Sequence, residues 1–170
     1  MTVKRTTEED IASVVVIYDE ARKTIAALGI DQWQNGYPNR ESVDEDIALS
    51  RSYCIVEDGC VVGTFALIED GEPTYDKIYD GHWLTGDESQ NYIALHRVAV
   101  SVCMRGRGAS TELVRFSVES AKRLGRASVR VDTHKGNVVM RRMLEKNGFV
   151  PCGTIYLQSG APRVAYEKLI

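Results

Sequence analysis

The chain has 170 residues, of which 44% are hydrophobic and 26% charged, and its formal net charge is −3. Such values are typical of one ordinary globular domain with a sizeable core, so we expect a single domain over residues 1–170. The chain is acidic overall, and its most basic segment, Arg97–Lys146, holds only one aromatic residue. Both features disfavour nucleic-acid binding. The lack of a long apolar run or secretory pattern favours a cytoplasmic protein with no membrane contact.

The N-terminal part predicts one short strand and two helices. Thr2–Arg5 is typical of a strand, and the capping box Thr6-x-x-Glu9 precedes a helical apolar pattern that Gly29 ends. The turn formers of Trp33–Pro38 predict a loop that also carries two large aromatic residues. A second helix is expected over about Glu41–Ser50.

The middle of the chain predicts a hairpin, an insert and a strand–turn–helix unit. Tyr53–Glu57 and Val61–Ile68 flank an Asp-Gly pair, which is a hairpin signal. The insert Glu69–Gln90 contains seven acidic residues and one lysine. The apolar run Ile93–Val102 then predicts a central strand, and a helix is expected over about Ser110–Leu124.

The C-terminal part predicts a strand, a helix and a final pair of strands, over about Ser128–Thr133, Asn137–Asn147, Phe149–Leu157 and Arg163–Leu169. The resulting order, β-α-α-β-β-β-α-β-α-β-β, mixes hairpins with crossovers. We therefore predict an α/β (α+β) fold with a mixed sheet of about seven strands and helices on both faces.

A glycine-rich basic turn lies between the central strand and the next helix, and comprises Arg105, Gly106, Arg107, Gly108, Ala109 and Ser110. Backbone N–H groups and the helix dipole at such a place favour an anion, and glycines allow its oxygens to approach the main chain. The spacing matches neither a Walker loop nor the three-glycine dinucleotide motif. A purely structural turn is the alternative.

Charge is distributed unevenly along the chain. The segment Arg97–Lys146 holds twelve basic and four acidic residues, a charge of +8, which leaves −11 for the rest. This division favours one polyanionic ligand and one cationic or neutral ligand, although basic residues on a solvated helix face would also account for part of it. The four cysteines (Cys54, Cys60, Cys103 and Cys152) show no metal-ligand spacing, so we expect reduced thiols and no metal site.

Two groups of residues resemble motifs of the GNAT N-acetyltransferase superfamily. Val98-Ala99-Val100 followed by Arg105-x-x-Gly108-x-Ser110 is similar to its motif A, with Ser110 in place of a glycine or alanine. Asn137 with Gly148-Phe149 is similar to its motif B. The element order is also similar, so the resemblance covers nearly the whole chain and implies that family's strongly twisted sheet.

The resemblance implies acetyl transfer from acetyl-CoA to a primary amine by direct attack in a ternary complex. The backbone of Arg105–Ser110 would hold the pyrophosphate, that of Val98–Val100 would pair with the pantetheine arm, and Asn137 would bind the pantetheine amide. An N–H group near Val100 would polarise the thioester carbonyl. The motif B tyrosine, the family's usual proton donor to the thiolate, falls on Leu144, so this donor is missing.

Candidates for the remaining chemistry lie on or near the strands. His96 shares a strand face with Val98 and Val100 by two-residue alternation, and Asp132 ends the next strand, close to His134; any of the three side chains could take a proton from the amine. A structural hydrogen-bonding role is the alternative for each.

Tyr156, or Tyr166, could replace the missing proton donor, although a tyrosine on a half-buried strand is more commonly a packing residue. In the fold that the resemblance implies, Trp33 and Tyr37 would face the acceptor.

The acceptor is expected to be a small-molecule or peptide amine, and the acidic remainder of the chain favours a cationic one. A non-catalytic acyl-CoA sensor or interaction module is the main alternative, and a different acyl donor or a non-amine acceptor is another. We expect a monomer or a homodimer.

Overall fold

The computed structural model describes all 170 residues and contains seven strands and four helices. The strands are β1 Thr2–Arg5, β2 Ser52–Glu57, β3 Cys60–Ile68, β4 Tyr92–Val100, β5 Ser128–Thr133, β6 Val150–Tyr156 and β7 Pro162–Leu169. The helices are α1 Ile11–Ala26, α2 Arg40–Ala48, α3 Ala109–Arg123 and α4 Val138–Lys146. No helix combines the length and the apolar character that crossing a bilayer requires.

The seven strands form one sheet in the order β1-β2-β3-β4-β5-β7-β6. Strands β4 and β5 are parallel, whereas the pairs β1–β2, β2–β3, β5–β7 and β6–β7 are antiparallel. The predicted mixed α/β fold is therefore confirmed. Its crossovers through α3 and α4 explain why hairpin signals occur at only some of the connections.

The chain divides into two compact units. The first comprises residues 1–67 and 97–116, and the second comprises residues 68–96 and 117–170. In the first, the buried face of α1 packs with residues of α2, β2 and β4 (Ile11, Val14, Ile17, Tyr18, Val43, Cys54 and Ala99). The capping box before α1 lies at Thr7 and Asp10, one residue later than predicted, because Asp10 accepts hydrogen bonds from both the amide and the hydroxyl of Thr7.

The second unit is built around aromatic side chains of the insert. Its core cluster comprises Ile68, Tyr75, Trp83, Tyr92, Ala94, Cys152, Ile155 and Ala165. The predicted irregular insert contains a short 3₁₀ helix at Pro73–Tyr75, and Tyr79 forms a β-bridge with Thr154 of β6. A Cβ at Gly81 would collide with the carbonyl oxygen of Cys152, so the insert approaches β6 as closely as glycine allows.

Candidate functional site

The glycine turn predicted from the sequence has open space around both of its glycines. Gly106 and Gly108 have φ values of 74° and 93°, and a Cβ built at either position would meet no atom within 4 Å. The Glu112 amide donates to the Gly108 carbonyl at 3.0 Å as α3 begins. The amides of residues 109–111 therefore precede the first bonded amide of the helix, as in helix N-termini that bind anions.

The two arginines of this turn already contact other side chains of the first unit. The Arg105 guanidinium donates to the Thr24 hydroxyl at 2.6 Å, and that of Arg107 lies 3.8 Å from the Glu57 carboxylate. An anion in the turn could thus bind backbone N–H groups and the Ser110 hydroxyl while both arginines keep these contacts.

Strand β4 contains a residue with a left-handed backbone, Arg97, whose φ is 52°. This conformation is rare for a residue other than glycine. The Arg97 guanidinium donates to both carboxylate oxygens of Asp46 at 2.6 Å and to the Tyr37 hydroxyl at 2.8 Å. Two-residue alternation does not hold across a left-handed residue. The shared face of His96 and Val98 therefore stays a prediction, because alternation assumes an extended backbone throughout.

The pairing of β4 with β5 is short. It covers Tyr92–Ala94 and Ser128–Arg130, although β4 continues to Val100 and β5 to Thr133. The backbone of Val98–Val100, expected to pair with a pantetheine arm, thus lies in a part of β4 beyond its pairing with β5.

Asn137 serves as the N-cap of α4. Its side-chain oxygen accepts a hydrogen bond from the Met140 amide at 3.2 Å, and 8% of the residue is exposed. The capping contact fixes the orientation of the Asn137 side chain at the start of α4.

Four titratable side chains of the second unit form one connected group. Tyr75, which is fully buried, donates its hydroxyl to Asp132 at 2.8 Å, and its ring stacks on His96 with 5.7 Å between centroids. The His96 Nε2 atom lies 3.4 Å from the Glu72 carboxylate. Burial, followed by the charge of Asp132, raises the pKa of Tyr75 well above its ordinary value, so its hydroxyl is held as a donor.

Glu72 and Tyr75 were not predicted as functional residues, whereas His96 and Asp132 were. Tyr75 is 57 residues from Asp132 in the chain, and its segment has no periodic pattern that predicts contact with a strand. The only available signal was the concentration of aromatic and acidic residues in the insert.

The structure gives the other predicted proton carriers separate surroundings. Tyr156 is 45% exposed, and its ring packs edge-on against Tyr79. The Tyr166 hydroxyl accepts from Arg141 and donates to Glu145, each at 3.0 Å. The His134 Nδ1 atom accepts from the Gly136 amide at 3.0 Å. Only His96 and Asp132 of the predicted set meet in one group.

Leu144, at the position of the family's tyrosine, is fully buried in the core. A larger residue there would overpack the core, so Leu144→Tyr would perturb folding as well as chemistry.

The two predicted acceptor-side aromatics differ in their contacts within the first unit. Trp33 packs edge-on against Tyr18 at 6.0 Å and lines an open groove of about 340 Å³. Tyr37 is 37% exposed and is the residue bound by Arg97. The groove is also lined by Asp19, Arg22, Lys23, Ala26, Gln34 and Gly36, a mixed set of charges.

Part of the charge asymmetry is used inside the fold. Arg97 and Arg130, both counted in the basic segment, are paired with Asp46 and Glu167. In the acidic insert, Asp87 accepts from the Trp83 amide at 2.9 Å and lies 2.8 Å from His82. The formal charges of the two segments therefore overstate the charge that remains available to attract ligands.

Comparison with known proteins identifies the family. The profile of the Acetyltransferase (GNAT) family matches residues 17–149, and no curated protein matches the chain. An acetyltransferase of the GNAT family from Streptococcus agalactiae 2603 is similar over 99% of this chain and 95% of its own, with 35% identity and a TM-score of 0.90.

Two more distant structures show the same fold. A GNAT-family acetyltransferase from Listeria monocytogenes 4b F2365 has 18% identity and a TM-score of 0.70, covering 99% of this chain and 94% of its own. The ribosomal-protein-alanine N-acetyltransferase of Brucella melitensis has 19% identity and a TM-score of 0.66, with full coverage of both chains. With a profile match over most of its length, the chain belongs to the GNAT family of acetyltransferases.

Proposed function

We propose that the protein transfers the acetyl group of acetyl-CoA to a primary amine, which attacks directly in a ternary complex. The observation that supports this most is the turn Arg105–Ser110, where two glycines with open space around them precede the first amides of α3. Membership of the GNAT family supports the same proposal. These features fit a pyrophosphate, because its oxygens need close approach to backbone N–H groups.

Three groups of this chain would hold the cofactor. As the family resemblance implies, the amides of the turn would bind the pyrophosphate, the backbone of Val98–Val100 would pair with the pantetheine arm, and Asn137 would bind the pantetheine amide. When bound, acetyl-CoA supplies the thioester that the amine attacks. An N–H group near Val100 is suited to polarising its carbonyl oxygen.

His96 is the proposed base that takes the proton of the amine, directly or through water. Glu72 lies beside its Nε2 atom and Tyr75 stacks on its ring, so the imidazole is held on two sides. A base oriented by a carboxylate is a common arrangement in group transfer. Asp132 is the alternative base, although its bond with Tyr75 uses one carboxylate oxygen.

We also propose that the acceptor is cationic. Glu72 and Asp132 place two carboxylates in one group of the second unit, and both are partly exposed. Such carboxylates would attract an ammonium ion, and the attraction would weaken as salt rises.

A non-catalytic acyl-CoA sensor is the second candidate. It is favoured by the buried Leu144 at the position of the usual proton donor. This loss slows a transfer rather than preventing it, since a thiol with a pKa of about 8.5 is already a good leaving group.

The deciding experiment measures CoA release from acetyl-CoA with polyamine-like, lysine-like, neutral and anionic acceptors, for the parent and for His96→Ala. We expect turnover with a cationic amine, inhibition by salt, and a loss of about 10²-fold in kcat/KM for His96→Ala. The acid limb of the pH–rate profile should disappear while CoA affinity is unchanged.

His82→Ala is the matched control, because His82 is exposed and bound to Asp87. CoA binding without turnover of any amine would favour the sensor. Full activity and an unchanged acid limb in His96→Ala would exclude His96 as the base, and a preference for anionic or neutral amines would exclude the cationic acceptor.

A further inference from the structure

One side chain of the insert contacts both candidate proton carriers of the second unit. Tyr75 donates to an oxygen of Asp132 at 2.8 Å and stacks on the His96 ring at an interplanar angle of 25°. Asp132 lies on β5 and His96 lies on β4, so Tyr75 is a shared partner of residues on two different strands. Tyr75 is fully buried, whereas Asp132 and His96 are partly exposed, so the phenol approaches both residues from the core.

The segment that carries Tyr75 is held in place from both ends. The Tyr75 amide donates to the Glu72 carbonyl at 2.8 Å, and its own carbonyl accepts from the Trp83 indole N–H at 3.0 Å. Trp83 lies in turn against the Arg130 guanidinium, whose central carbon is 4.2 Å from the ring centroid. This construction restricts the phenol to one place.

Glu72 gains a defined position from the same segment. One of its carboxylate oxygens accepts from the amide and the hydroxyl of Thr74, and the other lies 3.4 Å from His96. The single turn of 3₁₀ helix thus brings a carboxylate from its N-cap, Glu72, and a phenol from its last residue, Tyr75, to His96.

We propose that Tyr75 is a positioning residue of acetyl transfer, whose hydroxyl fixes the Asp132 carboxylate and whose ring fixes the His96 imidazole. This inference rests on the proposed function, because it assigns a role in that reaction. As a donor to Asp132, the phenol fixes the orientation of one carboxylate oxygen, and as a stacked ring it sets the plane in which His96 takes a proton. A residue that only fills the core would have neither effect.

The kinetic test compares Tyr75→Phe, Asp132→Asn and the double variant. Tyr75→Phe keeps the ring and removes the hydroxyl, so kcat should fall about tenfold with CoA affinity unchanged, since small misplacements of reacting groups slow group transfer strongly. The double variant should be no slower than the slower single variant, because the hydroxyl acts through Asp132. Tyr18→Phe is the control, since it removes another buried tyrosine hydroxyl, bonded to Thr64 in the first unit.

A second measurement needs no activity. The imidazole protons of His96, observed by NMR and assigned by comparison with His96→Ala, should keep their shifts in Tyr75→Phe and should move in Tyr75→Leu, which lacks the ring current. Thermal unfolding of each variant reports its folding, and Tyr75→Phe remains informative if Tyr75→Leu does not fold.

Three results would overturn the inference: a kcat for Tyr75→Phe no lower than that for Tyr18→Phe, additive losses in the double variant, or unchanged His96 shifts in Tyr75→Leu. If the parent transfers acetyl groups to no amine, the proposed function fails. The NMR comparison then still decides whether the Tyr75 ring stacks on His96, so the two failures are distinguishable.

Discussion

Each compact unit contains an arginine paired with a buried carboxylate, and the two pairs differ in their surroundings. Arg130 and Glu167 of the second unit are completely buried, whereas the side chains of Arg97 and Asp46 in the first unit are 13% and 6% exposed. Arg97 also binds Tyr37, an exposed residue of the loop expected to face the acceptor. One pair lies within a core, and the other connects to the surface.

The completely buried pair has more partners. Glu167 accepts from the amides of Leu84 and Thr85 and from the hydroxyls of Thr85 and Ser128, in addition to Arg130. The rings of Trp83 and Tyr92 each lie 4.2 Å from the guanidinium carbon of Arg130. A charge can be buried completely only where such partners replace water, so this pair fastens the insert to β5 and β7.

The units also differ in their open space. The second unit fills the surroundings of its titratable group with aromatic rings, whereas the turn of the first unit leaves both glycines without neighbours. A filled group is suited to fixing side chains in place, and an open turn is suited to admitting a ligand.

The largest expected effect follows from breaking the completely buried pair. Arg130→Met should lower the free energy of unfolding by about 3–5 kcal/mol, because Glu167 would remain buried without its cation. Arg97→Met should lower it by about 1.5–3 kcal/mol, since water can reach Asp46 more easily. Urea unfolding followed by circular dichroism measures both. Equal losses would show that the exposure of the pairs has no energetic consequence.

The next effect concerns the open turn. Gly108→Glu should weaken CoA binding at least about tenfold, or about 1.4 kcal/mol, by placing a side chain and a negative charge where the phosphates are expected. Gly160→Glu is the matched control, because Gly160 also has a positive φ of 82° and no neighbour within 4 Å of a built Cβ. Isothermal titration calorimetry compares the two. Parent-like affinity in a folded Gly108→Glu protein would place the CoA site elsewhere.

The smallest effect is a difference in how the two pairs respond to acid. Burial acts to raise the pKa of Glu167, but hydrogen bonds from Ser128, Thr85 and Arg130 bring it below its ordinary value of 4.5. Burial raises the pKa of Asp46 above its ordinary value of 3.8, despite the opposing effect of Arg97. Glu167 therefore contributes stability that is complete above pH 4.5 and is lost as pH falls through its lowered pKa. Asp46 behaves in the opposite way: its contribution is complete below pH 3.8 and is lost as pH rises through its raised pKa.

Urea unfolding from about pH 7 to about pH 3 tests this contrast, with about 1.4 kcal/mol expected per unit of pKa shift. The stability difference between the parent and Glu167→Gln should shrink as pH falls. The difference between the parent and Asp46→Asn should change in the opposite sense. Parallel changes in the two variants would contradict the assigned directions.

Local sequence patterns were sufficient for most of the secondary structure. Ser128–Thr133 is the strand that its β-branched residues predicted, and the hairpin of β2 and β3 forms around Asp58-Gly59, where both residues have positive φ. These features depend on neighbours within a few residues, which periodicity and turn chemistry describe. The family was likewise indicated by two motifs, because the residues of each motif lie close together in the chain.

The sequence by itself therefore determined the order of elements, the glycine turn and the family. Only the tertiary structure decided which side chains meet. It joined Tyr75 to Asp132 across 57 residues, placed Arg130 in a core although it is charged, and gave Arg97 of β4 a left-handed backbone. The physical reason is that hydrogen bonds and ion pairs between distant segments depend on how the chain packs, and local propensity has no information about that packing.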